Sequence, residues 1–145
     1  MIVLDANVLI YAYDPGSPQH AATRAWFNNL LDESSLILIP WVSLWALLRV
    51  STNPRASRNA PPVAEVFRTV RELLDHPRVR VTEPGPQHAE ILERLAIDAP
   101  ALGSRLTDAV LAAIAIENGA ALASTEKDFR RFDGLRLVNP LTATR

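Results

Sequence analysis

Ile2-Val3-Leu4 is apolar without alternation, the pattern of a short strand buried on both faces, and the chain meets Asp5 and Asn7 immediately after it. A carboxylate placed there stands at the carboxyl end of a buried parallel strand, where open α/β sheets hold their ligands. A second apolar run, Val8-Leu9-Ile10, predicts a helix over Val8–Tyr13 that stops at Asp14-Pro15-Gly16. Asp5 and Asn7 are also good capping residues, so capping alone is one account of either. What separates the accounts is whether acids recur at equivalent places.

The strand-then-helix rhythm does recur. Helical spacing over Gln19–Leu31 precedes a second apolar strand, Leu36–Ile39, and Pro40 ends it. A helix is predicted over Val42–Ser51, an irregular stretch up to Pro62, and a helix over Val63–Leu74. Val79–Val81 is a short strand, Glu83–Pro86 a turn and Gln87–Ile97 a helix. The alanine-rich helix Asp108–Asn118 reads as the longest, with Gly119 as its C-terminal stop. Ala120–Ala123 is a strand, Glu126–Arg131 a short helix and Leu135–Val138 a last strand. Alternation of this kind predicts an α/β fold with a mostly parallel central sheet flanked by helices, and 145 residues fit one domain, 1–145. Right-handed crossovers would bring the carboxyl ends of the strands to one edge.

Composition excludes several classes. No apolar run approaches the roughly 20 residues of a membrane span, and there is no cysteine for a disulfide or a thiolate site. The N-terminus lacks the basic region and cleavage site of a secretory signal, so a cytoplasmic protein with no membrane association is expected. The net charge of -1 decides nothing about nucleic acid. Lys127 is the lone lysine among the 15 basic residues, and arginine offers a planar fork that matches phosphate oxygens. Genome base composition accounts for an arginine bias equally well.

Four acidic residues at three places in the chain are the candidates for chemistry. Asp5 follows the first strand, Asp108 opens the alanine-rich helix after Thr107, and Glu126 and Asp128 follow the Ala120–Ala123 strand after Thr125. Each has an innocent account, since Thr107 and Thr125 are plausible caps and a first-turn carboxylate suits the helix dipole. Taken together they would converge if their strands are neighbours. Converging carboxylates repel one another unless a cation sits among them, and hard oxygen ligands suit Mg²⁺ or Mn²⁺. Such an ion activates water and stabilises charge on a phosphate, a phosphodiesterase-type arrangement. The glycine-rich nucleotide loops and the G-x-S-x-G nucleophile turn are absent from the sequence.

The sequence resembles the PIN-domain ribonucleases, and among them the VapC-type toxins of toxin–antitoxin pairs. The resemblance is carried by Leu4–Ala12, His20, Ser43–Val50, Thr52–Arg55, Leu106–Ala109, Thr125–Phe129 and Asn139–Leu141, in family order and nearly end to end. It implies Mg²⁺-dependent endonucleolytic cleavage of RNA. Asp5 matches the family's first acid and Asp108 its third. Glu126 stands where aspartate is usual, Asp128 is a frequent additional acid, and which of the two coordinates stays open. Asn7 and Thr125 would orient a carboxylate or a water. Arg49, Arg55 and Arg58 are expected near the cleft edge, where contact with RNA phosphates and ordinary surface solvation are equally good accounts of them. The departure is Ala46, three residues before Arg49, where the family has its second acid, a glutamate. A disabled site and a naturally degenerate one are both consistent with that alanine. The resemblance also implies a cognate antitoxin and a homodimer. Trp41, Leu44, Trp45 and Leu48 have helical spacing; core packing is the first expectation for them, and an exposed share would make a protein interface. Two rivals remain: a non-catalytic domain that binds RNA or antitoxin, and a phosphatase using Asp5 as nucleophile. The phosphatase pattern wants a second aspartate where Asn7 stands.

Overall fold

The computed structural model describes residues 1–56 and 60–142. Within them a five-stranded sheet is built from β1 (Ile2–Leu4), β2 (Ile37–Pro40), β3 (Val79–Thr82), β4 (Ala121–Ala123) and β5 (Arg136–Val138), in the order β3-β2-β1-β4-β5. All four strand pairings are parallel, so the expected mostly parallel sheet is parallel throughout. β1 lies at the centre, with Ile2 level with both Ile37 and Ala121. The helices are α1 (Ala6–Tyr13), α2 (His20–Asp32), α3 (Trp41–Ser51), α4 (Val63–Leu74), α5 (His88–Asp98) and α6 (Arg105–Glu117), with a 3-10 turn at Lys127–Arg131.

Successive strand residues point to opposite faces, and here each face meets its own core. Ile2 and Leu4 pack with Val8, Leu9, Phe27 and Leu44 of α1 to α3. Val3 and Leu122 pack with Leu95 of α5 and with the small buried residues Ala109, Ala112 and Ala113 of α6. Two covered faces are why β1, β2 and β4 read as continuous apolar runs, whereas the edge strands β3 and β5 carry the exposed Arg80 and Arg136. Burying each large side chain of this kind contributes about 1.5–3 kcal/mol, so both layers are held firmly to the sheet. Among the described residues no helix is long and apolar enough to cross a membrane.

Some boundaries differ from expectation. α6 begins at Arg105 rather than Asp108, because the chain turns at Gly103 (φ 61°) and Ser104 takes the N-cap position. Thr107 is therefore inside the helix and is not its cap. α6 has 13 residues, the same length as α2, so it is not the single longest helix. Gly119 stops α6 as expected, at φ 61°, with Ala120 N–H donating back to Ala115 O at 2.9 Å. Pro40 closes β2 as its last residue and occupies the N-cap position of α3.

Candidate functional site

The central position of β1 makes its carboxyl end the natural floor of a site. Leu4 is level with Ala123, so Asp5 and Ser124 leave neighbouring strands together. Asp5 N–H donates to Ala123 O at 3.0 Å, which extends the pairing by one step and fixes the backbone under the carboxylate. Asp5 occupies the N-cap position of α1 (φ -72°, ψ 153°), yet its side chain makes no cap bond. The capping account of Asp5 therefore fails. Its carboxylate instead accepts from Ser124 Oγ at 2.7 Å and is 7% exposed.

Ser124 is the hub. Besides donating to Asp5 Oδ2, its fully buried hydroxyl accepts from Asn7 Nδ2 at 3.2 Å and from Glu126 N–H at 3.0 Å. One donor and two acceptor positions are a hydroxyl's whole capacity. Asn7 completes the ring with Oδ1, which accepts from Thr125 N–H at 3.3 Å. Asn7 thus ties the start of α1 to the segment after β4, as a support should. Thr125 contributes its backbone and not the cap expected of its side chain, because the 3-10 turn begins only at Lys127 and has Glu126 at its N-cap position.

The acids sense one another. Burial pushes the Asp5 carboxyl up to about 6; the Ser124 hydroxyl and the Ala6 backbone amide oppose this, while Asp108 and Glu126 add to it. Asp108, half-buried in the first turn of α6, is also raised, by burial first and then by Glu126. Arg131 and Arg105 pull it back, and Asp128 pushes it up less than Glu126 does. Asp128 is exposed and paired with Arg131 at 3.0 Å. Asp5, Asp108 and Glu126 thus share one electrostatic environment, with Asp128 at its margin.

Three mutually repelling carboxylates, one of them buried, match the donor chemistry of a hard divalent cation. Among the described residues no three acid or histidine side chains are drawn close enough to enclose an ion as they stand.

Other candidates lie elsewhere. Ala46 is half-buried on α3, which leaves the sheet from the end of β2 beside β1. Arg49, in the last turn of α3, and Arg55 are both exposed. Arg58 lies outside the described residues. His20 is structural: its Nδ1 lies 2.9 Å from Tyr11 O and links α2 to α1. Leu44 is buried as expected, whereas Trp41 (39% exposed) and Trp45 (62% exposed) are not core residues but stack on each other at the surface, ring centroids 6.1 Å apart. Sequence reasoning missed Ser124. The signal was present, in a serine directly after a buried strand at the level of Asp5, but only the pairing register reveals it.

Comparison with known proteins follows this geometry. The PIN domain family matches residues 2–135. Ribonuclease VapC31 of Mycobacterium tuberculosis is 38% identical over 140 residues, covering 97% of this chain and 99% of that protein. Ribonuclease VapC25 of the same organism is 36% identical over 140 residues, with the same coverage. At the level of fold, the chain resembles VapBC2 from Rickettsia felis, solved bound to a DNA fragment from their promoter, with a TM-score of 0.71 at 19% identity over 96% of this chain and 98% of that one.

Proposed function

The chain belongs to the PIN-domain family, and from that premise we propose that it is a metal-dependent endoribonuclease, the toxin of a toxin–antitoxin pair, acting in the cytoplasm. The observation that carries the reading is Asp5, a buried carboxylate at the central strand end, held by Ser124 and electrostatically coupled to Asp108 and Glu126. These three would hold Mg²⁺, with Mn²⁺ an acceptable substitute. Glu126 is preferred over Asp128 because it bears on both other acids, while Asp128 is engaged by Arg131. When bound, the ion supplies a nucleophilic water at neutral pH and charge neutralisation on the phosphodiester.

The residues of the chain do the positioning. Ser124 donates to Asp5 Oδ2 and so orients the carboxylate. Asn7 and the Thr125 amide lock the segment that carries Glu126 against the start of α1. Asp108 approaches from α6, whose alanines seat it close against the sheet. Ala46 supplies no carboxylate, so a fourth acid that would orient the attacking water is missing. That absence also favours the second reading, a domain that binds RNA or antitoxin without cutting. The partners carried by this proposal are a cognate antitoxin, RNA, and a second copy of the chain; the stacked Trp41 and Trp45 offer apolar surface for a protein contact.

The test is Mg²⁺-dependent cleavage of a mixed RNA pool by the chain, by Ala46→Glu and by Asp5→Asn. Cleavage by the chain or by Ala46→Glu, abolished in Asp5→Asn, is the expected result. Silence from the chain and from Ala46→Glu, with RNA still bound, would establish the non-catalytic reading instead.

A further inference from the structure

A second feature lies beside the acids and has opposite charge. A groove of about 460 Å³ is lined by Ala99, Pro100, Arg105, Lys127, Asp128 and Arg131. It carries three cations and one carboxylate. Asp128 is paired with Arg131, whose Nε also donates to Asp128 O at 2.9 Å, so this pair closes across the 3-10 turn. Arg105 and Lys127 are exposed, and the groove keeps a surplus of two positive charges.

The groove's placement argues for its ligand. Arg105 lies three residues before Asp108 on α6, a spacing that puts two side chains on one helix face about 5–6 Å apart. Lys127 directly follows Glu126. Arg105 thus shares a helix face with one proposed ion ligand and Lys127 adjoins another in the chain, while Arg105 and Arg131 both act on the Asp108 carboxyl. A chain of phosphates crossing the acids would next meet these cations. Arginine and lysine are the side chains that hold phosphate, one as a fork and the other as a point charge.

We propose that Arg105, Lys127 and Arg131 form a phosphate subsite that holds an RNA backbone phosphate neighbouring the one to be cleaved. This rests on the endoribonuclease reading for its substrate. Arg105 and Lys127 do the binding; Arg131, braced by Asp128, sets the groove wall and adds charge. The subsite reads backbone and not base, so it sets affinity and register and leaves sequence choice to other contacts.

The test separates this proposal from the reading beneath it. Binding of a random-sequence single-stranded RNA dodecamer is followed by fluorescence anisotropy in EDTA across a salt series, for the chain, Arg105→Gln, Lys127→Gln and the double variant. Circular dichroism melts check that each variant folds. In parallel, KM and kcat are measured with Mg²⁺ on whichever form cleaves. The subsite predicts that the slope of log affinity against log salt shrinks by about 0.7 for each cation removed. It also predicts that KM rises about tenfold in the double variant while kcat changes less. If binding and its salt slope respond as predicted but nothing cleaves, the subsite stands and the endoribonuclease reading falls. Cleavage with KM and salt slope unchanged in folded variants overturns the subsite alone, whereas a chain that fails to bind RNA even at low salt overturns the subsite and the RNA-directed reading together.

Discussion

Replacing Asp5 by asparagine gives a stability change whose pH dependence can be worked from the site. The carboxyl titrates near 6 in the folded protein against an ordinary value of 3.8, chiefly because it is buried. Between about pH 4 and pH 6 the folded state keeps a proton that the unfolded chain has released, so stability falls as pH rises through that window. Above it the ionised Asp5 costs the folded state on the order of 3 kcal/mol. Asparagine removes that cost. Its oxygen still accepts from Ser124, but its NH₂ faces a place built for an anion, a penalty of about 1–3 kcal/mol that does not depend on pH. At pH 4 Asp5→Asn should therefore be the less stable protein, and at pH 7.5 it should equal or exceed the parent. The swing between the two conditions is about 3 kcal/mol. Urea denaturation of both proteins in EDTA at the two pH values measures it. An unchanged difference between variant and parent would falsify the assignment of Asp5 as a buried, high-pKa carboxylate. Repeating the pH 7.5 series with Mg²⁺ adds a second reading, because an ion held by Asp5 stabilises the parent and not the variant.

Ser124→Ala removes the donor to Asp5 and the acceptor of both Asn7 Nδ2 and Glu126 N–H. A loss of about 1–3 kcal/mol is expected from thermal melts, together with a further rise of the Asp5 pKa in a carboxyl ¹³C NMR titration, since the Ser124 bond lowers it. Away from the site, Glu117 at the end of α6 accepts from Gly85 N–H at 2.9 Å and Gln87 N–H at 2.8 Å, clasping the turn before α5. A methyl group at Gly85 would lie 2.5 Å from Glu117 Oε1, so Gly85→Ala should swing the carboxylate off the turn and cost about 1 kcal/mol. If the clasp is the cause, Gly85→Ala and Glu117→Gln will be less than additive in a double-mutant cycle.

The strands were legible because a sheet covered on both faces needs apolar residues at every position, and Ile2–Leu4 and Ile37–Ile39 supply them. Asp5 was legible as a candidate for the same reason, being the first polar residue after a run that must be buried. Asp108 was singled out as a candidate, but its helix was misjudged: Thr107-Asp108 has the composition of a helix start, whereas Gly103 allows the turn that begins the helix three residues earlier. Trp41 and Trp45 misled in another way. Hydrophobicity reports what a side chain would gain by burial, not whether a neighbour is there to bury it, and on α3 the layer ends before reaching them. Ser124 stayed hidden because its role depends on a partner 119 residues away. Its own surroundings in the sequence, Ala123 and Thr125, give no hint of an Asp5 carboxylate.

The physical ordering of effects on Asp5 bears on what Ala46 can cost. Burial is the largest cause of its raised pKa, and the repulsions from Asp108 and Glu126 come last. The demand for a counter-charge at the end of β1 thus arises mainly from the low-dielectric position of Asp5, not from the number of acids around it. Removing one acid from such a set weakens the attraction for a cation without removing its cause. On the metal-dependent reading proposed above, an alanine at position 46 would therefore act on the reacting water more than on the ion. It follows that isothermal titration with Mn²⁺ should show Ala46→Glu gaining affinity only modestly, whereas Asp5→Asn loses most of it. A large gain in Ala46→Glu, with Asp5→Asn little affected, would mean that α3 and not β1 is where the ion is held.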